Sequence, residues 1–234
     1  MIKLSLVIPC FNEAESLPRL LEMCAPLLNR ADCQLVLVDN GSTDATGDLL
    51  LDSSQRYSQL KVVTLDQNMG YGGGILSGLR QAEGAILGWT HADLQTDPRA
   101  ALEALPFFDD NPNDIFVKGR RFGRSMGDRL FTHGMSLICS FIFGRIMIDI
   151  NAQPTLFSRI FFESWSLPPE DFSLDLYTYY HAKKRGLRVI RFPTYFGPRV
   201  FGSSKWNFGI SSRARFIRRT LNYTLILRLG IGKK

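Results

Sequence analysis

Short apolar runs rich in β-branched residues, each closed by turn residues, recur through the first part of the chain at residues 4–8, 35–38, 61–65 and 85–90, the last two less purely apolar. Runs of this length predict buried parallel strands. Between them, residues 14–28 carry Leu17, Leu20, Leu21 and Leu27 near helical spacing, and helical patterns follow at 43–54 and 75–82, each opening beside a polar or glycine-rich turn. This strand–helix alternation predicts an α/β fold, a mostly parallel central sheet flanked by helices on both faces. After Pro98 the pattern loosens into a basic connector at 118–129, a mostly apolar helix around 130–148 and a strand-like 153–157. A helix at 171–185 and a strand at 187–192 follow, and this C-terminal part is expected to complete the same sheet. No internal repeat, low-complexity stretch or long linker divides the chain.

Composition narrows the class without changing that picture. The chain has 234 residues, 45% of them hydrophobic, and its 28 Lys+Arg against 22 Asp+Glu give a net charge of +6. A chain of this size buries enough surface to fold without disulfides or a structural metal. Cys10, Cys24, Cys33 and Cys139 are scattered, with no Cys-x-x-Cys spacing and no paired histidines to suggest zinc. Residues 1–10 lack the apolar run of a signal peptide, and no uninterrupted apolar stretch is long enough for a membrane span. The positive excess suits an anionic partner: a phosphate, a membrane surface or a nucleic acid.

In a doubly wound sheet, ligands bind beyond the C-terminal ends of the strands. The residues there form a coherent polar set: Pro9, Phe11, Asn12 and Glu13 after the first strand, Asp39 to Asp44 after the second, Asn68 to Gly78 after the third, and His91, Asp93 and Gln95 after the fourth. The stretch NMGYGGGILSG is not a dinucleotide fingerprint, because Ile75 and Ser77 stand where a third glycine belongs. Its glycines are expected to form a tight turn feeding a helix at Ile75 and to let the backbone approach a ligand. Asp93 and Gln95 would project from a strand edge, where divalent cations and diphosphates are held together. Asp93 also reads as a helix N-cap before Pro98, and Asp39 as the start of an Asx turn in DNGSTD.

The runs VIPCFNEAESL, LVLVDNGSTDAT, NMGYGGGILSG and HADLQTDP, continued by KGRRF, QPTLFSR, SLDLYTYYHAKKRGLRVIRFPT and RVFGSSKW, resemble family 2 glycosyltransferases of the GT-A fold. Within that family they are most similar to polyprenyl-phosphate (dolichyl-phosphate) sugar synthases. The resemblance implies one catalytic domain over residues 1–208, with a nucleotide-sugar half at 1–98 and an acceptor half at 99–208. It implies that Pro9, Asn12, Glu13 and Asp39 shape the nucleoside pocket, that Asn68 and Gly70 lie beside ribose and diphosphate, and that Asp93 and Gln95 hold Mg²⁺ or Mn²⁺. The family's Asp-x-Asp is His91-Ala92-Asp93 in this chain, so His91 removes a carboxylate, and either hydrogen-bonds the sugar or ribose or serves as an imidazole ligand better suited to Mn²⁺.

By the same resemblance Arg120, Arg199 and Lys205 contact the acceptor phosphate or donor diphosphate; the arginine forks match phosphate geometry, and the lysine adds a point charge. His133 stands where the family has a phosphate-binding arginine. Asp175 is the leading general base if the acceptor is a sugar hydroxyl; a polyprenyl phosphate is already anionic and needs little proton abstraction. The implied activity is inverting, metal-dependent sugar transfer from a nucleoside-diphosphate sugar, a UDP-sugar by default and a GDP-sugar as the alternative, to a lipid-linked acceptor. Transfer to a glycan hydroxyl, and nucleotide-sugar binding without turnover, are the rival readings. Residues 209–234 combine Arg213, Arg215, Arg218 and Arg219 with Phe216, Ile217, Leu221, Leu225 and Leu229, a pattern that suits a basic amphipathic helix on the cytoplasmic face of a membrane and equally suits core packing or a homo-oligomer interface. Nucleic-acid binding is disfavoured, since the aromatics form no stacking series.

Overall fold

A computed structural model describes residues 1–199, Phe201 and 209–230, with side chains of the last segment from Ile217 onward. A seven-stranded sheet carries the fold, in the order β3-β2-β1-β4-β6-β5-β7. Strands β1 (Leu4–Cys10), β2 (Cys33–Asn40), β3 (Leu60–Leu65) and β4 (Ile86–Trp89) are parallel to their neighbours within this group. Helices α1 (Leu17–Leu28), α2 (Thr46–Arg56) and α3 (Gly70–Gln81) connect them, and the short α4 (Ala100–Ala104) follows β4. Beyond it come β5 (Ile115–Phe122), α5 (Met126–Phe143), β6 (Thr155–Ser158), α6 (Arg159–Glu163), α7 (Leu174–Lys184), β7 (Arg188–Tyr195) and α8 (Gly209–Leu229). Strand β6 runs antiparallel between β4 and β5, while β7 pairs parallel to β5 at the edge.

Period-two alternation divides the core between the two faces. Leu4, Leu6 and Ile8 face α1 with Leu35, Leu37 and Val117; Val7, Val36, Val38, Trp89, Phe116 and Phe157 face α3 and α7. Gly78 lies flat against this second face, where a Cβ would stand 2.4 Å from Val7 Cγ1.

Three expectations need correction. Residues 118–122, read as part of a connector, form the second half of β5. Lys118 and Gly119 disguise it: the lysine is fully buried in an ion pair, and a Cβ at Gly119 would come 2.0 Å from Gln153 O. Helix α3 begins at Gly70, not Ile75, so Gly72, Gly73 and Gly74 are helical. They serve protein packing, since a Cβ at Gly72 would lie 2.6 Å from Pro169 O, and Gly73 N–H donates to Glu170 O at 2.9 Å. Helix α5 starts at the Ser125 cap and ends at Gly144, whose φ of 62° permits the left-handed C-terminal turn, rather than continuing to residue 148.

Among the described residues no helix is long and apolar enough to cross a membrane. On α8, Ile217 and Leu221 pack against the core while Leu225, Ile226 and Leu229 are exposed. Met126, Leu130, Leu137 and Phe141 form an exposed stripe along α5. The side chains of Arg213, Arg215 and Phe216 lie outside the described residues.

The close packing at Gly72 and Gly78 sets a stability prediction. Alanine normally favours a helix over glycine, yet Gly72→Ala and Gly78→Ala should each cost about 1–3 kcal/mol by overpacking. Thermal or urea unfolding checks this, with a rise in melting temperature as the contrary result.

Candidate active site

Strands β2 and β3 lie to one side of the β1/β4 junction and the remaining strands to the other, so this junction is the topological switch point at which α/β sheets bind ligands. The loops there are cross-bolted by side chains. Asn12, at φ 55°, donates its N–H to Ser42 Oγ (3.1 Å) and accepts the Thr43 N–H on Oδ1 (2.8 Å). Glu13 N–H donates to Thr46 Oγ1 at 2.8 Å. The expected Asx turn is present, with Asp39 Oδ1 accepting the Ser42 N–H at 2.9 Å, and Asp39 is buried beneath the first turn of α2. Asn40, in the polar run after β2, accepts the Met69 N–H (2.9 Å) and donates to Gly70 O (3.0 Å). Asn68 Oδ1 in turn accepts the Gly70 N–H at 2.8 Å. Pro9, Asn12, Glu13, Asp39, Asn68 and Gly70 therefore gather at the ends of three neighbouring strands.

Beyond β4, Asp93 Oδ1 accepts the Gln95 N–H at 3.1 Å and Oδ2 takes a 2.9 Å hydrogen bond from Arg199 Nη2. Gln95 is joined to the same segment twice, through its side chain to Gly197 O (3.0 Å) and its carbonyl to the Gly197 N–H (2.8 Å). Burial raises the Glu13 carboxyl above its usual range; a Ser16 hydrogen bond and the charge of Arg199 oppose the rise, while Asp93 adds to it. Three charged groups, two acidic and one basic, thus share the crevice mouth. Among the described residues no group of three His, Cys, Asp or Glu side chains could hold a metal ion alone. The donor set still fits a hard cation completed by phosphate oxygens, because such ions are commonly held by one or two carboxylates plus the substrate.

Asp175 does not face an open acceptor site. It is almost fully buried, with Oδ1 accepting from Lys118 Nζ (3.1 Å) and Gln153 Nε2 (2.9 Å) and Oδ2 from the Tyr71 hydroxyl (2.8 Å). Lys118 also donates to Thr155 Oγ1 at 2.9 Å, and burial, only partly offset by Asp175, pushes its ammonium pKa down to about 8. Burial and then Asp175 hold the Tyr71 phenol well above its ordinary value. Both Asp175 oxygens are thus engaged by protein donors. His91 stacks on the Tyr71 ring, with centroids 5.4 Å apart.

The connector arginines separate into two groups. Arg121 bonds Asp149 and Arg124 lies 3.6 Å from the same carboxylate, so these two are structural. Burial raises the Asp149 carboxyl, but the hydrogen bonds and charge of Arg121 together with the charge of Arg191 bring the net shift downward. Arg120 and Arg129 remain exposed, while His133 directs Nδ1 to the Arg129 carbonyl of its own helix (2.6 Å). Lys205 lies outside the described residues. The sequence patterns assign no individual role to Asn40, Tyr71, Lys118 or Gln153, although Asn40 and Tyr71 lie in the runs after β2 and β3; the polar pair Lys118 and Gln153, each beside an apolar strand run, was the available signal for the rest.

Comparisons with known proteins agree with this geometry. A family model described as Glycosyl transferase family 2 matches residues 5–167. A dodecaprenyl-phosphate galacturonate synthase of Rhizobium johnstonii is 31% identical over 153 residues, covering 62% of this chain and 43% of that protein. An undecaprenyl-phosphate 4-deoxy-4-formamido-L-arabinose transferase of Salmonella choleraesuis is 26% identical over 214 residues, covering 88% of this chain and 63% of that protein. This chain therefore spans less than two thirds of the length of these relatives. A glucosyl-3-phosphoglycerate synthase from Mycobacterium tuberculosis, solved with Mn²⁺, UDP and glucosyl-3-phosphoglycerate, superposes with a TM-score of 0.73 at 19% identity, covering all of this chain and 82% of that one. The family match over most of the chain and the shared architecture lead to one conclusion: this protein belongs to glycosyl transferase family 2 and has the GT-A fold.

Proposed function

We propose that this glycosyltransferase moves a sugar, with inversion, from a nucleoside diphosphate donor, a UDP-sugar by default, to the phosphate of a polyprenyl lipid. A phosphate oxygen of the acceptor bonds to the anomeric carbon as the bond to the donor's diphosphate oxygen breaks, and the nucleoside diphosphate leaves with the electron pair. The observation that carries the acceptor class is the state of Asp175: the residue expected to act as base is buried and saturated with donors, whereas an anionic phosphate needs no base. The polyprenyl-phosphate acceptors named for two relatives support the same class.

On this reading Pro9, Asn12, Glu13 and Asp39 line the nucleoside pocket, Asn68 and Gly70 border the ribose and diphosphate, and Asp93 with Gln95 holds Mg²⁺ or Mn²⁺. Such a cation neutralises charge on the departing diphosphate. Arg199 complements it: paired with Asp93 in the free protein, its guanidinium turns to the diphosphate when donor is present, and Arg120 and Lys205 meet the acceptor phosphate. Residues 1–208 act as the catalytic domain. The exposed stripe on α5 and the outer residues of α8 rest on the cytoplasmic surface of an anionic membrane, where such a lipid is met.

Labelled donor sugar incubated with the protein, Mn²⁺ and undecaprenyl phosphate as sole acceptor should yield an acid-labile product that extracts with lipid. No such product across a panel of UDP- and GDP-sugars would remove the assignment. Asp93→Ala should abolish that transfer and the metal dependence of UDP binding, which full activity in the variant would refute. Arg199→Ala should tighten Mn²⁺ binding without nucleotide, because Asp93 loses its competing partner, and weaken Mn²⁺-supported UDP binding about ten-fold. Calorimetric titration reads both affinities, and two unchanged constants would count against the shared role.

A further inference from the structure

A stack of side chains runs from the C-terminal helix to the crevice. The Arg219 guanidinium lies over Phe172, 5.4 Å from the ring centroid. Phe172 lies flat on Tyr71, with centroids 4.2 Å apart and an interplanar angle of 5°. The Tyr71 ring then carries His91 at 5.4 Å and 22°. Offset stacking at these separations is an attractive arrangement for aromatic rings.

Tyr71 is fixed at several points. Its backbone lies in the first turn of α3, which glycines press against residues 169–171. Its hydroxyl donates to Asp175 Oδ2 (2.8 Å) and accepts from Gln153 Nε2 (3.2 Å), and Asp175 is itself locked by the buried Lys118. Neither charge of that pair can leave without stranding the other in a dry interior. Phe172 covers one side of the ring. His91, by contrast, makes no side-chain hydrogen bond among the described residues, so the face of Tyr71 decides its plane.

We propose that Tyr71 is a positioning residue for His91: anchored by the Lys118–Asp175–Gln153 cluster and backed by Phe172, it presents the edge of the imidazole to the sugar-diphosphate beside Asp93. This rests on the crevice being the donor site. It also explains how a family member with histidine in place of the first carboxylate keeps a defined group at that position. The residue acts through His91 and needs no contact of its own with the donor.

Histidine side-chain ¹H–¹³C spectra of the full chain, with His91 assigned by His91→Ala, test the placement without any ligand. Ring-current shielding should move the His91 ring protons in the native protein, and Tyr71→Leu should return them to unstacked positions while Tyr71→Phe keeps most of the displacement. Should the leucine variant fail to fold, Lys118→Met with Asp175→Asn removes the anchoring charges as a pair and should broaden or shift the same signals. A His91 spectrum indifferent to these changes overturns the proposal. In a second arm, UDP binding with Mn²⁺ should weaken about ten-fold on Tyr71→Leu, but less than about two-fold when His91 is already alanine, because residues acting in series are not additive. Equal losses in both backgrounds mean that Tyr71 acts independently of His91 and also overturn it. Absence of UDP binding by the native chain would fault the donor assignment, leaving the spectra to decide the role of Tyr71.

Discussion

The buried ion pair between Lys118 and Asp175 is the constraint around which the second half of the molecule is arranged. Both side chains are essentially solvent-free, and an isolated charge in such a place would be prohibitively costly. The pair is tolerable because Thr155, Gln153 and Tyr71 supply the remaining hydrogen bonds. Removing one partner would cost about 3–5 kcal/mol by leaving the other uncompensated. Through these bonds β5, β6 and α7 are tied to the first turn of α3, which begins at Gly70, and so to the loop that carries Asn68. Gly70 and Gly72 follow from the same requirement, since only a bare backbone allows the start of α3 to come this close to residues 169–171.

At the crevice the dominant physical term is charge balance rather than packing. Asp93 and Glu13 face one guanidinium, Arg199, in a partly buried setting where exposed-surface screening is reduced. A diphosphate and a divalent cation entering together would satisfy the arginine and the carboxylate separately and leave the local charge near balance. With two carboxylates against one guanidinium, the crevice does not hold the excess behind the net charge of +6, and Arg121 and Arg124 neutralise Asp149 instead.

The fold was legible wherever apolar alternation governs burial. Strands β1, β2 and β4 appear as apolar runs because both faces of the sheet are covered there, while the partly buried edge strand β3 reads less purely. The pattern failed at β5 and at the start of α3, for one reason: a buried lysine and packed glycines have the sequence appearance of a loop. In the candidate site, the residues after each strand were legible from sheet topology, and Asp39 forms the turn its motif suggested. The burial of Asp175 was not legible, because sequence carries no sign that Lys118, far away in the chain, will pair with it. Tyr71 and Asn40 lie in the polar runs but carry no sign of their role there, since an aromatic or an amide beside glycine turns is usually only packing.

A structure of the full chain with UDP and Mn²⁺ tests the central claim most directly, that the β1/β4 crevice is a donor site held ready by the Arg199–Asp93 pair. The account predicts the diphosphate between the loops after β1 and β4, Mn²⁺ on Asp93, and Arg199 moved from the carboxylate to a phosphate oxygen. A nucleotide bound elsewhere, or bound in the crevice with Arg199 still on Asp93 and no cation beside it, would contradict it.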